Sequence, residues 1–286
     1  MSYDNAQARL EDGALPFRAL GGVGSADRVL DEVADRGDRD FVESLARGLA
    51  VIQAFTNQQH QLSIAKISQK TGIARAAVRR YLHTLARLGY VMTRDGHRFS
   101  LLPKIVTLGQ AYLSACALPE LAQGPLDALG AEVGEACSLG LLDEVDMIYV
   151  ARASSSAVMS PRFNVGGRMP AHCTSVGLVL LAELEPPELE ERMKSMRLLA
   201  YTERTLTAAA LRECLVHVRA EGFAIADQQL VSGIRSIAVP VRDRLGEAVA
   251  GINVIVPIQR ASIAQMRERY LKPLAQAART IGSLLP

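Results

Sequence analysis

Apolar side chains recur with helical spacing in residues 71–91, which form the most regularly patterned segment of the chain. Val78, Leu82 and Leu85 succeed one another at intervals of four and three positions, so they share one helix face. At about 100° per residue, the opposite face carries alanine and basic side chains: Ala76, Arg79, Arg80, His83 and Arg87. The pattern therefore predicts a helix that buries one face and presents positive charge on the other.

Two shorter helical patterns precede this helix. The first spans residues 41–55, where one face carries apolar side chains at Val42, Leu45, Leu49 and Ile52. The second spans residues 62–72, with Ser63 as the predicted N-cap and Gly72 as the residue that ends the helix in a left-handed turn. The chain thus predicts three consecutive helices with a glycine turn before the third.

A hairpin is predicted directly after the third helix. Residues 90–102 read as two short strands around Asp95 and Gly96, a dipeptide suited to a tight turn. Three helices followed by a basic hairpin are typical of a winged helix-turn-helix, in which the third helix enters the major groove of DNA. The alternative is a three-helix module that uses the same turn for protein contacts.

The next segment, residues 103–115, is predicted to be a linker helix. Pro103 can open it, because the first helical position needs no backbone N–H. Ile105, Leu108 and Tyr112 form an apolar stripe along it. An exposed stripe between two domains should be covered, and a second copy of the chain is the most economical cover. We therefore expect a dimer.

Residues 116–286 alternate helical and strand-like patterns. Consecutive strand patterns joined by short turns, one of them at Leu245 and Gly246, predict an antiparallel sheet. Helical segments alongside that sheet give the α+β class. The predicted organisation is a flexible tail at 1–40, a winged helix-turn-helix at 41–102, a linker helix at 103–115 and a second domain at 116–286.

Charge is distributed unevenly along the chain. The net charge is +2, but residues 1–40 hold five arginines against nine acids, and residues 41–104 hold ten lysines and arginines against two acids. The second segment therefore carries +8, a strong excess for its length. Clustered cations release condensed counterions when they meet phosphates, which favours polyanion binding. A solvated basic surface without a partner is the alternative.

Composition narrows the class of protein. A chain of 286 residues with 49% hydrophobic and 22% charged residues is typical of a globular protein with two domains. No apolar run reaches the ~18 to 20 residues that a membrane span requires. The N-terminus lacks the pattern of a secretory signal, and the four cysteines are too scattered for paired metal or redox motifs. We therefore expect a cytoplasmic protein with reduced thiols and no membrane partner.

Catalysis is a weaker possibility. His172 adjoins Cys173, and a cysteine with a histidine in reach can act as a nucleophile. Adjacent residues at a helix start point in different directions, however, and no acid that would orient the histidine is identifiable. The sequence shows no phosphate-binding glycine loop and no metal-ligand cluster. We expect no enzyme, cofactor or metal, and the alternative is a dimeric metabolite-binding enzyme with an accessory helix-turn-helix.

Four separated motifs together resemble the IclR family of bacterial transcriptional regulators. They are FVESLARGLAVIQAF, ISQKTGIARAAVRRYLHTLARLGYV, HCTSVGLVLLAEL and DQQLVSGIRSIAVPVRD, in that order. The sequence is most similar to the branch that regulates β-ketoadipate, protocatechuate and 4-hydroxybenzoate catabolism. The resemblance implies a winged helix-turn-helix joined by a linker helix to a GAF-like effector-binding domain, acting on an operator as a homodimer or homotetramer.

The resemblance also implies DNA-contacting residues. Arg75, Ala76, Arg79 and Arg80 match recognition-helix positions, and arginine is the commonest reader of guanine edges. Lys66, Arg94 and Arg98 are expected to position the domain on phosphates. For Arg80 the alternative is a salt bridge within the scaffold. The family usually has a capping residue where this chain has Ala74, so the recognition helix is expected to lack a side-chain cap.

An effector site is expected in the second domain. The predicted helix start at Thr174, Ser175 and Val176 would direct backbone amides at a carboxylate, although Thr174 could act only as an N-cap. The resemblance adds Val158, Asp227, Ser236, Asn253 and Ile255 as lining positions. Arg235 could clamp a carboxylate, or it could form an ion pair with Asp227 or Asp243. The expected effector is a small carboxylate such as protocatechuate, 4-hydroxybenzoate or β-ketoadipate.

Overall fold

The computed structural model describes residues 40–55, 60–153 and 163–285. The tail predicted at 1–40 lies outside these residues except for Asp40, and so does Val158. The described chain divides into two compact units, with the division between Gly109 and Gln110. This point lies within the segment to which the sequence assigns a linker helix, and the predicted domain boundaries stay predictions.

The first unit is a winged helix-turn-helix, as the sequence predicts. Its sheet has the order β1-β3-β2, and both pairings are antiparallel. Its core joins all three helices to the sheet through Val51, Ile67, Val78, Leu82 and Phe99. The elements are α1 (Glu43–Gln53), β1 (Leu62–Ser63), α2 (Ile64–Thr71), α3 (Arg75–Arg87), β2 (Val91–Thr93) and β3 (Arg98–Leu101).

Local hydrogen bonds place α3 and the hairpin. The Ser63 hydroxyl accepts from the amide of Lys66 at 3.2 Å, and Gly72 ends α2 with φ of +67°, which confirms both predicted caps. Ala74 precedes α3 without any side-chain cap, also as predicted. In the hairpin, Asp95 Oδ1 accepts from the amides of His97 and Arg98 at 2.9 and 2.8 Å. These backbone bonds lower the pKa of Asp95 and fix the turn between β2 and β3.

Helix α1 exposes much of its patterned apolar face. Val42, Leu45 and Leu49 are 57%, 63% and 46% exposed, whereas the small Ala46 and Ala50 pack inward. Small side chains let the helix backbone approach the core, and the larger apolar side chains consequently lie on the surface of this chain. Amphipathic periodicity alone would have predicted burial of the larger residues.

A 3₁₀ turn at Pro103–Ile105 leads into α4 (Val106–Ala115), which carries exposed apolar side chains at Val106, Leu108 and Tyr112. The remaining helices are α5 (Ala117–Val133), α6 (Ser175–Glu183), α7 (Pro186–Ser195), α8 (Ala208–Glu221) and α9 (Ile263–Leu284). The remaining strands are β4 (Ala136–Asp143), β5 (Asp146–Arg152), β6 (Arg168–Pro170), β7 (Ala224–Asp227), β8 (Ile234–Arg242) and β9 (Ala248–Pro257).

The second unit is a six-stranded antiparallel sheet between two helical layers, which confirms the α+β class. The strand order is β6-β5-β4-β9-β8-β7. Side chains alternate between the two faces of a strand. On β8, Ile237 and Val239 pack in the layer of α5 and α9, whereas Ala238 packs in the layer of α6 and α8. Each face of the sheet therefore has its own apolar core.

Two glycines allow the first turn of α6 to lie directly on the sheet. A Cβ atom at Gly140 on β4 or at Gly251 on β9 would lie 3.1 Å from Val176 Cγ1. That separation is closer than ordinary carbon contacts of about 3.5 to 4.0 Å. The missing side chains thus place the N-terminus of α6 over β4 and β9.

No single helix in the described ranges is long and apolar enough to cross a membrane. The criterion is met only by two helical segments taken together, Pro103–Tyr112 and Ala117–Val133, which are separated by a break.

Candidate functional site

The outer face of α3 is basic and exposed, as the sequence pattern predicts. Val78 and Leu82 are fully buried beneath it, and Leu85 lies at the edge of the core. All seven residues expected to contact DNA are exposed: Lys66, Arg75, Ala76, Arg79, Arg80, Arg94 and Arg98. Four of them lie on α3, one lies on α2, and two lie on the hairpin.

The arginines of α3 have no acidic partner within the described part of the chain. In the described residues up to Gly109, the only ion pair joins Arg47 to Glu43 on α1. The carboxylate of Asp95 is already engaged by hairpin amides. A scaffold salt bridge for Arg80, the alternative left open by the sequence, is not formed among these residues. Several positive charges on one surface of α3 are therefore not paired with any acid of the described residues.

Two cations that the sequence counted in the basic segment have structural roles. Lys70 donates to the carbonyl of Ala54 at 2.9 Å, and burial lowers its pKa. Lys104 donates to the carbonyl of Leu88 at 2.9 Å and lies over the ring of Tyr90. Both tie neighbouring elements of the first unit together. The charge available for a polyanion is therefore smaller than the sequence count of +8 suggests.

A groove lies beside the hairpin. Its lining comprises Gln61 and six hairpin residues, namely Met92, Thr93, Arg94, Asp95, Arg98 and Ser100. Arg94 and Arg98 both line it, so the hairpin directs two guanidinium groups to the same side. Guanidinium groups on a hairpin beside a recognition helix suit contacts with flanking phosphates.

The second unit contains a small cavity between the start of α6 and the sheet. Its volume is about 30 Å³, which is room for one or two water molecules. Among the described residues the lining is mostly apolar and carries no charged side chain: Tyr149, Phe163, Met169, Cys173, Thr174, Ala226, Gln229, Leu230, Val231, Ile234, Ser236 and Ile255. Three residues expected from the sequence, Thr174, Ser236 and Ile255, are thus brought together here.

Thr174 is both a helix cap and a lining residue. Its hydroxyl accepts a hydrogen bond from the amide of Gly177 at 3.2 Å, so Thr174 is the N-cap of α6. Thr174 also lines the cavity. The amides of Ser175 and Val176 belong to the first turn of α6, where backbone N–H groups have no partner within the helix. Val176 itself packs in the core against Gly140 and Gly251.

Several buried polar groups of the second unit have no hydrogen-bond partner among the described residues, and one of them, on Gln229, belongs to the cavity lining. Asn253 Nδ2 donates to the hydroxyl of Tyr149 at 2.8 Å, and Asn253 faces Ser138 across the β4–β9 pairing. Burial raises the pKa of Tyr149 to about 12, so its hydroxyl stays protonated and can donate. Five buried side-chain atoms accept or donate no hydrogen bond in the described structure: Ser138 Oγ, His172 Nε2, Ser175 Oγ, Gln229 Oε1 and Asn253 Oδ1.

Asp227 and Arg235 bind each other. Arg235 Nε donates to Asp227 Oδ1 at 2.7 Å, and Arg235 also donates to the carbonyl of Ala261. Arg204 pairs with the second oxygen of Asp227. Arg235 therefore forms the ion pair with Asp227 that the sequence left as an alternative. It could clamp an effector carboxylate only if that pair broke. Neither residue lines the cavity.

The geometry around Cys173 does not suit a nucleophile. Burial raises the pKa of Cys173 and lowers the pKa of His172, so both groups are held neutral. The Cys173 thiol is directed at the carbonyl of Pro170 rather than at the histidine. No group of three or more potential metal ligands occurs among the described residues.

Sequence reasoning missed several lining residues. Tyr149 lies in an apolar strand pattern that predicts only core, and Gln229 lies in a polar loop that predicts only solvent exposure. Side chains alternate along β9, so Asn253 and Ile255 lie on one face. This alternation was the signal that could have identified lining residues on the neighbouring strands.

Two family descriptions match most of the chain. "IclR helix-turn-helix domain" matches residues 44–95, and "Bacterial transcriptional regulator IclR C-terminal" matches residues 110–283. The two matches correspond to the two compact units.

Individual proteins are similar over the same range. The Pca regulon regulatory protein of Pseudomonas putida is 45% identical over 247 residues, which cover 86% of this chain and 84% of that protein. The p-hydroxybenzoate hydroxylase transcriptional activator of Acinetobacter baylyi is 32% identical over 252 residues, covering 86% and 93%. The crystal structure of a putative transcriptional regulator from Rhodococcus sp. RHA1 matches with a TM-score of 0.71 and 39% identity, covering 85% and 97%.

Proposed function

We propose that this chain, which belongs to the IclR family of bacterial transcriptional regulators, controls genes of aromatic acid catabolism in response to a small carboxylate. Its family and relatives are DNA-binding regulators rather than enzymes, so the metabolite-binding enzyme is not favoured. The relatives from Pseudomonas putida and Acinetobacter baylyi support the choice of pathway. As a regulator of bacterial genes, the protein acts in the cytoplasm.

The basic face of α3, whose arginines have no ion-pair partner among the described residues, is the observation that carries the DNA-binding proposal. Arg79 and Arg80 read base edges in the major groove, with Arg75 and Ala76 at the helix start beside them. Lys66, Arg94 and Arg98 contact phosphates and set the register of the domain. Because α3 lacks a side-chain cap at Ala74, its first amides are free to meet a phosphate.

Exposed apolar side chains on α1 and α4 support a dimer. Leu45 and Leu49 on α1 and Leu108 and Tyr112 on α4 are each about half exposed or more in the single chain. Within each helix the two side chains are four positions apart and so share a face, and exposed apolar surface of this kind marks an interaction site. A dimer would hold two recognition helices about one DNA turn, or roughly 34 Å, apart, and a homotetramer would pair two such dimers.

The carboxylate of the effector binds at the start of α6. Helix N-termini attract anions through their free amides and the helix dipole. The described lining residues include no cation. The amides of Ser175 and Val176, in the first turn of α6, and the hydroxyl of the lining residue Ser236 are the groups we assign to the carboxylate. A cavity of about 30 Å³ must widen to admit a benzoate-sized molecule. The effector therefore selects a different arrangement of the lining, which is how its binding can change the protein's state.

Thermal unfolding of the full chain tests the effector proposal. An acid at 100 times its Kd should stabilise the folded protein by about 2.7 kcal/mol and raise the melting temperature. The neutral 4-hydroxybenzamide should raise it far less than 4-hydroxybenzoate. Ser236→Ala should reduce the shift, whereas the exposed Ser232→Ala is a matched control that should not. Unchanged melting with protocatechuate, 4-hydroxybenzoate and β-ketoadipate would refute this assignment.

A further inference from the structure

Gln229 is a buried polar side chain whose amide oxygen has no hydrogen-bond partner among the described residues. It is 8% exposed and lines the cavity beneath α6. Its Oε1 atom is buried and accepts no hydrogen bond among the described residues. Buried side-chain amides are ordinarily hydrogen-bonded, so an unsatisfied one in a cavity wall calls for a ligand or another function.

The backbone around Gln229 is held firmly in place. The hydroxyl of Thr202 donates to the carbonyl of Gln228 and the hydroxyl of Thr205 to the carbonyl of Gln229, each at 2.7 Å. Gln228 has a φ of +59°, a left-handed conformation that is uncommon for a residue other than glycine. Its own side chain accepts from the amide of Gly233 at 3.1 Å and so stabilises the turn.

These bonds hold the left-handed conformation of Gln228 in place, directly before Gln229. Strained backbone that is secured by surrounding bonds concentrates at ligand-binding positions. Two independent features, the unsatisfied amide and the secured left-handed turn before it, therefore point to the same side chain.

The chemistry of an amide limits what it can recognise. A glutamine amide offers one acceptor and one donor group side by side, and this holds whichever way the amide is turned. A carboxylate only accepts hydrogen bonds, whereas a hydroxyl both donates and accepts. The start of α6 supplies donors alone, and Gln229 lies on a different wall, in the loop between β7 and β8.

We infer that Gln229 recognises a neutral hydroxyl group of the effector and thereby discriminates hydroxylated aromatic acids from unsubstituted ones. This inference rests on the proposed function, since it assumes that an aromatic acid places its carboxylate at α6. Gln229 is a specificity-determining residue in this scheme, and the carboxylate contacts are independent of it.

A purely structural role for Gln229 makes the opposite prediction about stability. If the amide stabilised the fold, Gln229→Leu would lower the melting temperature of the ligand-free protein. Replacing an unsatisfied buried polar group by an apolar group of similar shape is instead neutral or stabilising. We therefore expect Gln229→Leu without ligand to melt at the wild-type temperature or above it.

The experiment measures the dissociation constants of benzoate, 3-hydroxybenzoate, 4-hydroxybenzoate and protocatechuate by calorimetry. Wild type should prefer at least one hydroxylated acid over benzoate, and Gln229→Leu should reduce that preference by about threefold to tenfold. Gln229→Glu keeps the side-chain shape but adds a charge that repels the effector, so it should weaken all four acids. Gln276→Leu makes the same chemical change at an exposed position on α9 and should behave as wild type.

The outcomes separate the two proposals. If wild type binds the acids and Gln229→Leu keeps the wild-type preference, the role of Gln229 is wrong and the proposed function stands. Equal affinity of wild type for benzoate and all hydroxylated acids would overturn the role of Gln229 in the same way. If wild type binds none of the four acids, the role of Gln229 is wrong, and the effector proposal then depends on β-ketoadipate in the melting assay.

Discussion

Replacing Arg79 and Arg80 together by alanine should abolish most specific DNA binding while leaving the fold intact. Both guanidinium groups are exposed on α3, and neither has an ion-pair partner in the described chain. The double substitution therefore removes no side-chain bond to a described residue, and alanine favours the helix. Exposed substitutions of this kind change the free energy of unfolding by about 0.5 kcal/mol or less, so the melting temperature should hardly move.

The loss of operator affinity follows from the contacts removed. Each arginine that reads a guanine contributes about 1 to 3 kcal/mol. The pair should therefore cost about 2 to 6 kcal/mol if the two contributions add, or roughly 30-fold to 10⁴-fold in Kd. Arg98→Ala should instead weaken all DNA sequences similarly and reduce the slope of log affinity against log salt by about 0.9.

Fluorescence anisotropy with the intergenic DNA beside the gene, and with a scrambled duplex, measures these effects. The matched control is Lys272→Ala with Arg279→Ala, which removes two exposed charges from α9 and should leave operator affinity unchanged. Equal operator affinity for wild type and the Arg79/Arg80 variant would refute the recognition-helix assignment. A loss as large in the α9 control would show that net charge alone governs binding.

Two further predictions concern assembly and acid sensitivity. Leu108→Glu places a charge on the exposed stripe of α4 and should lower both the dimer fraction in sedimentation and the operator affinity. Thr107→Glu adds the same charge one position away and should lower both less. A wild-type monomer at working concentration would contradict the dimer. Burial lowers the pKa of His172 in the folded protein. Below the unfolded-state histidine pKa of about 6.5, the unfolded chain therefore binds more protons than the folded chain, and stability falls with acidification. Melting temperature should therefore drop between about pH 7 and pH 5, and identical pH dependence in His172→Gln would contradict this cause.

Local chemistry made much of the first unit predictable. The period of Val78, Leu82 and Leu85 identifies α3 and its basic face, and Ser63 and Gly72 mark the ends of α2 because capping depends on neighbouring residues alone. The roles of Lys70 and Lys104 could not be predicted, since the carbonyls they bind lie 16 positions away in the chain. The exposure of Leu45 on α1 could not be predicted either, because periodicity defines a helix face, whereas tertiary packing decides which face is buried.

The cavity was predictable only in part. Thr174 is a typical N-cap residue, so the N-terminus of α6, the proposed carboxylate-binding end, could be located from the sequence. Tyr149, Ser236 and Ile255 come from three different strands, and only the order of the sheet brings them to one wall. Arg235 shows the limit of residue chemistry, because a carboxylate-binding group is as readily satisfied by Asp227 on the neighbouring strand as by a ligand.

The most direct test of a ligand-responsive regulator is the coupling between effector and operator on the wild-type protein. Operator Kd is measured by anisotropy with and without saturating 4-hydroxybenzoate, protocatechuate or β-ketoadipate, and the Kd of the acid is measured with and without operator. The account predicts that at least one acid changes operator affinity about fivefold or more, and that operator changes the affinity for that acid by the same factor. Operator affinity that is identical with and without every acid in the panel would contradict it.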